Sequence, residues 1–294
     1  MPREGSAPQA PERPRGITFS DGAMGSALIR QGVAPGDTLR ANIDRPELVR
    51  SIHAAYLGAG SDILTCNTFG VRPGGAWSAQ VRAGYALAAE AATANRRAVA
   101  IWLSIPPCAA ATGGSTIREI MAGAAGAPPV LLIETCTALI QAREALAACR
   151  AAASGPIAVT AHFTRNGVMP DGTQPEMFAA AMAGEGASIV GANCGDTPQS
   201  FIDIAARMRA VTDLVLLVQP SAGLPDREPT GTLRYPVAPA EFASVCAQIA
   251  DAGADIVGGC CGVTPAHLAA AVASCTGRVV SHSHGGHESW FPEG

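Results

Sequence analysis

The chain has 294 residues, 48% hydrophobic and only 15% charged, with a net charge of -4; none of its 20 basic residues is lysine. A pI near 5.9 and 4% aromatic residues give no general attraction for nucleic acid or anionic membrane, and no aromatic platform for single strands. Uninterrupted apolar runs long enough to span a bilayer are missing, so nucleic-acid and membrane partners are not expected.

The length suits one large α/β barrel domain. Residues 1–15, rich in proline and charge, are expected to be disordered, and they lack the apolar core of a signal peptide. The nine cysteines therefore read as cytoplasmic thiols or metal ligands more than as a disulfide framework. Cys66, Cys108, Cys136, Cys149, Cys246 and Cys275 read as packing residues. A barrel domain over 16–280 is expected, followed by a mobile tail, 281–294, that carries His282, His284 and His287.

Taken in order, short apolar runs alternate with alanine-rich helical stretches. The runs are GITFS (16–20), DILTC (62–66), AVAIWLS (98–104), PVLLIE (129–134), IAVTAHF (157–163), ASIVGAN (187–193), DLVLLVQ (213–219) and ADIVGG (254–259). They are continuously apolar, as parallel strands buried on both faces should be. Asp44, with Glu47 three residues on, predicts a helix N-cap that puts Leu48, Ile52 and Ala55 on one face. Further helices are predicted over 138–153, 175–183, 198–210 and 239–252. Eight strands each followed by a helix predict a single (β/α)8 barrel. A doubly wound sheet ranks below it, because DGAMG (21–25) is not a dinucleotide fingerprint.

In such a barrel the chemistry sits at the C-terminal ends of the strands. Those positions hold Asp21, Asn67, Thr68, Glu134, His162, Phe163, Asn193, Cys194, Gln219, Cys260 and Cys261. Three thiols at strand ends suit a zinc site with an open fourth position. Both cysteine turns continue as C-G-x-T-P, at 194–198 and 261–265. Thr followed by Pro predicts an N-cap and first helical residue, and a helix N-terminus beside a thiol favours the thiolate. Plainer readings stand beside these: Asp21 as a turn acid, His162 as a core histidine, and Cys260-Cys261 as a buried pair or redox couple. A metal-water hydrolase or lyase using His162 or Glu134, and a non-catalytic zinc barrel, are the competing functions.

The pieces DGAMGS (21–26), DILTCNTFG (62–70), LLIET (131–135), GANCG (191–195), QPSAGLP (219–225) and DIVGGCCGVTPAHL (255–268) resemble the homocysteine S-methyltransferase family. The likeness is greatest to the homocysteine module of cobalamin-dependent methionine synthase. It implies zinc held by Cys194, Cys260 and Cys261, with the homocysteine sulfur as fourth ligand. It also implies that Asp21 and Glu134 contact the substrate amino group, and that Asn193 stands in the family's position before the first zinc cysteine. Backbone amides of Gly22 and Ala23 are expected to hold the substrate carboxylate. The methyl donor is expected to be a methylcorrinoid protein or a small onium compound such as S-methylmethionine or betaine. Ile105-Pro106-Pro107-Cys108 departs from the family's Gly-Pro, and short segments after strands two and three suggest a trimmed roof suited to a large donor on a separate corrinoid protein.

Overall fold

The computed structural model describes residues 16–72, 75–107, 117, 118, 120–124, 130–227 and 233–278. The expected disordered start, the histidine-bearing tail and Cys108 lie outside them. The eight apolar runs form eight parallel strands: β1 (Thr18–Phe19), β2 (Ile63–Cys66), β3 (Ala100–Ile105), β4 (Val130–Cys136), β5 (Ile157–Ala161), β6 (Ile189–Cys194), β7 (Val215–Pro220) and β8 (Ile256–Val257). Their order is β1-β8-β7-β6-β5-β4-β3-β2, and a parallel bridge from Ser20 to Ile63 joins the two ends of that series. This is a (β/α)8 barrel.

Helices among the described residues include α1 (Met24–Arg30), α2 (Ala41–Asp44), α3 (Pro46–Gly58), α4 (Ser78–Thr93), α5 (Leu139–Ala152), α6 (Pro175–Gly184), α7 (Ser200–Arg209), α8 (Pro239–Asp251) and α9 (Pro265–Cys275). Among the described residues no helix is long and apolar enough to cross a membrane.

Side chains alternate along each strand, so each run serves two cores. Ile63, Trp102, Leu132, Ile189, Leu217 and Ile256 belong to a cluster that fills the barrel. Leu64, Leu103, Ile133, Val190 and Val218 belong to a second cluster shared with the helices. One two-residue step further along the strands, and two steps along β6, the inward positions turn polar: Thr65, Ser104, Glu134, Asn193 and Gln219. The floor of the barrel is therefore apolar and its mouth is polar.

The opposite rim is tied by two aspartates at strand starts. Asp62 accepts from Phe19 N at 3.1 Å and Asp255 from Leu216 N at 2.8 Å. Each follows a left-handed glycine, Gly60 (φ 107°) or Gly253 (φ 104°), and each takes an arginine partner, Arg97 or Arg209.

Two expected helix starts are corrected. Asp44 closes α2, and α3 begins with Pro46 at its first position after Arg45. The buried stripe of α3 is Val49, Ile52, His53, Tyr56 and Leu57, while Ala55 is exposed and Leu48 half-buried. Thr197 does not cap α7, which starts at Ser200. A tight turn precedes it, with Phe201 N donating to Pro198 O at 3.1 Å. Thr264 does cap α9: its hydroxyl accepts from His267 N, and the His267 ring accepts from Thr264 N at 3.2 Å.

Candidate metal centre

Cys194 ends β6 in the left-handed region (φ 64°), followed by Gly195 at φ 79°. A side chain at Gly195 would collide with Phe201, so the turn needs glycine there. The Gly195 amide donates to His162 Nδ1 at 3.2 Å, which leaves His162 a support of this turn. Cys260 and Cys261 follow β8. The segment after β7 stitches both turns together: Cys260 N donates to Pro220 O, Ser221 N to Cys194 O and Ala222 N to Cys261 O, each at 2.9 Å.

Three sulfurs consequently converge. Cys194 Sγ lies 3.1 Å from Cys260 Sγ and 3.8 Å from Cys261 Sγ, and all three fall within 4.8 Å of one another. Bonded sulfurs would be about 2.05 Å apart, so these are free thiols. A tetrahedral zinc with Zn–S near 2.3 Å has S···S edges of about 3.8 Å.

The electrostatics agree with a cation site. Hydrogen bonds from Cys194 and Cys260 hold the Cys261 thiol well below its usual range, near 3. Cys260 is driven well above that range by its contacts with Cys194 and Cys261. Cys194, although favoured by the hydrogen bond from Cys260, is pushed up to about 12 by Cys261 and by burial. Crowding thus permits one thiolate and opposes the next two, and a divalent cation removes that opposition. The donor set fits a thiophilic metal.

Two acids stand beside the sulfurs. Asp21 is 2% exposed, and burial pushes its carboxyl up to about 7 against the opposing Thr65 amide, which donates to Oδ2 at 2.9 Å. Burial likewise raises Glu134 to about 7, opposed by the Ser104 hydroxyl, which donates to Oε1. The Glu134 charge adds to the rise at Asp21, so the two carboxyls are near enough to repel. They make a pair that a cationic group would relieve.

Asn193 joins Glu134 to Cys260. Its Oδ1 accepts from Thr135 N at 2.9 Å and Thr160 Oγ1 at 2.8 Å. Its Nδ2 donates to Thr135 Oγ1 at 2.8 Å, and reaches Glu134 Oε2 at 3.4 Å and Cys260 Sγ at 3.8 Å. Thr135 is itself left-handed (φ 66°), a strained position of the kind that gathers at functional sites. Gly22 and Ala23 lead into α1, with Ala23 as its N-cap. A Cβ on Gly22 would meet the Tyr56 ring at 2.8 Å. The Tyr56 hydroxyl donates to Val263 O at 2.7 Å, fastening this turn to the vicinal-cysteine turn.

Sequence reading missed Ser104, Thr135, Thr160, Tyr56 and Tyr235. Tyr235 stacks where a Cβ on Gly262 would come within 2.1 Å of its ring. Burial, then the charges of Cys261, Cys260 and Cys194, push its phenol up to about 12. Ser104 and Thr160 lie at inward positions of their strands, which the sequence alone does not mark. Cys66, Cys136, Cys149, Cys246 and Cys275 are buried away from the cluster.

Residues 18–275 match the sequence profile described as homocysteine S-methyltransferase. The chain belongs to the homocysteine S-methyltransferase family. Methionine synthase of Mycobacterium tuberculosis is 30% identical over 295 residues, covering 88% of this chain and 25% of that protein. Methionine synthase of Mycobacterium leprae is 29% identical over 302 residues, covering 90% of this chain and 25% of that protein. The chain thus spans a quarter of the length of these relatives. The metallated form of the homocysteine methyltransferase MmuM from Escherichia coli superposes with a TM-score of 0.73 at 21% identity, covering 88% of this chain and 96% of that one. Its oxidized form gives 0.73 at 21%, covering 87% and 95%. At that identity the structural likeness is one of fold. Its three converging cysteines are the group among the described residues that could hold a metal ion.

Proposed function

We propose that the chain transfers a methyl group to the sulfur of homocysteine, giving methionine, with zinc held by Cys194, Cys260 and Cys261. The observation that carries this reading is the convergence of three free sulfurs beside two buried carboxyls. Zinc supplies the acidity that ionises the incoming thiol, which alone is mostly protonated at neutral pH.

The chain's own residues do the rest. Asp21 and Glu134 take the substrate ammonium, and the amides of Gly22 and Ala23 take its carboxylate. Ser104 and Asn193 hold the Glu134 carboxylate in place. With both ends fixed, the sulfur is presented toward the barrel mouth in line with the donor. A sulfur–carbon bond forms as the donor–carbon bond breaks, the departing electron pair stays with the donor, and the thiol proton goes to solvent. No general base is required. A cytoplasmic setting suits cysteines that serve as thiols and metal ligands.

The donor is a methylcorrinoid on a separate protein or a small onium compound. The likeness to methionine synthases supports the first. A panel tests both: zinc-loaded protein with homocysteine, offered a methylcorrinoid protein, S-methylmethionine or betaine, with methionine quantified. Turnover is expected with a corrinoid protein and slow or absent with betaine. Rapid turnover on a small onium donor alone would overturn the corrinoid preference. No methionine from any donor would overturn homocysteine methylation itself.

A further inference from the structure

We infer that Gln219 is the third acceptor for the substrate's amino group, completing with Asp21 and Glu134 a set matched to the three N–H donors of an ammonium. This rests on the function proposed above. Gln219 is 6% exposed. It points inward at the polar end of β7 and pairs in register with Asn193 on β6. Its Nε2 donates to Ser20 Oγ at 3.0 Å. To do so it spans β8 over Gly258, where a Cβ would stand 1.8 Å from Ser20 Oγ. The side chain thus runs from β7, beside Asn193, to the residue preceding Asp21, and Asn193 in turn reaches Glu134.

Its other atom is the telling one. Gln219 Oε1 is buried and makes no hydrogen bond among the described residues. Leaving a buried acceptor unmet is costly, and here the unmet acceptor lies in the layer that carries the site. Thr65 and Ser104 each occupy one oxygen of the two carboxyls, so one ammonium bond to each leaves a third N–H, and the amide oxygen is an acceptor for it. The residue therefore sets specificity for an α-amino thiol over a thiol without the amino group.

The test is calorimetric binding to zinc-loaded protein of homocysteine and of 4-mercaptobutanoate, its analogue without the amino group. Wild type, Gln219→Met and Gln219→Glu are compared, the glutamate variant keeping an acceptor. Wild type is expected to prefer homocysteine. Gln219→Met should lose about tenfold of that preference, the scale of one hydrogen bond to a charged group, and Gln219→Glu should keep most of it. An undiminished preference in Gln219→Met, equal weakening toward both thiols, or a glutamate variant as poor as the methionine one would each overturn the inference. A wild type that binds the two thiols equally would overturn the ammonium pocket and this inference with it.

Discussion

At Asp21 the folded chain holds a carboxyl where water cannot reach it. Its pKa rises from the ordinary 3.8 to about 7. Between those values the native state binds more proton than the unfolded state, so stability falls as pH climbs from about 4 through 7 and stays lower above. Asp21→Asn removes that dependence and keeps an oxygen for the Thr65 amide. In metal-free, thiol-free melts the variant should match wild type near pH 4 and exceed it by on the order of 2 kcal/mol at pH 8. Homocysteine affinity should fall in the same variant. A stability difference constant with pH would contradict the burial account. Glu134 was a candidate from the sequence because it ends an apolar run, where a charge needs a partner, whereas Asp21 alone read equally as a turn acid and was singled out by the family resemblance. Ser104 and Thr160 were not legible: a lone hydroxyl inside an apolar run looks like any other until barrel closure turns it inward.

The two cysteine turns share the pattern C-G-x-T-P, yet only one threonine caps a helix. At Thr264 the residue three places on is His267, whose ring reaches back to the threonine amide. At Thr197 that place belongs to Ser200, which instead donates its hydroxyl to Thr197 O at 2.9 Å. The pentapeptide was readable; the reciprocal partner beyond it decided the outcome. Asp44 failed as a cap for a related reason, because Pro46 starts α3 one residue later and rotates its buried stripe toward Val49 and His53. Gly262 tests how strongly such a turn is specified. It sits at φ 80° with the Tyr235 ring where a Cβ would go. Gly262→Ala should cost about 1–3 kcal/mol in denaturant unfolding and reduce bound metal per chain, because the displaced turn carries Cys260 and Cys261. Full metal content with unchanged stability would show that the turn is not held as described.

Across the whole molecule, stability and chemistry occupy opposite rims of the barrel. The alternation of apolar runs with helical stretches made the barrel legible, and it did so because strands covered on both faces have no polar side to show. The aspartate ties at the strand starts were not recognised, since G-x-D before an apolar run looks like an ordinary turn. Arg209 donates to the fully buried Asp255 at 2.7 Å and to Gly253 O, Thr212 O and Leu214 O. Arg209→Met should therefore destabilise the fold by about 3–5 kcal/mol, the scale of a buried charge left alone, while zinc stoichiometry in the folded fraction stays unchanged. A loss below about 1 kcal/mol would mean the pair is solvated like a surface one. The most direct test of the site lies at the other rim: zinc-edge X-ray absorption on the loaded protein, with and without homocysteine. The expected result is three sulfur neighbours and one lighter atom in the free protein, becoming four sulfurs when the thiol is added. Fewer than three sulfurs, or a filled shell that homocysteine leaves unaltered, would contradict the account.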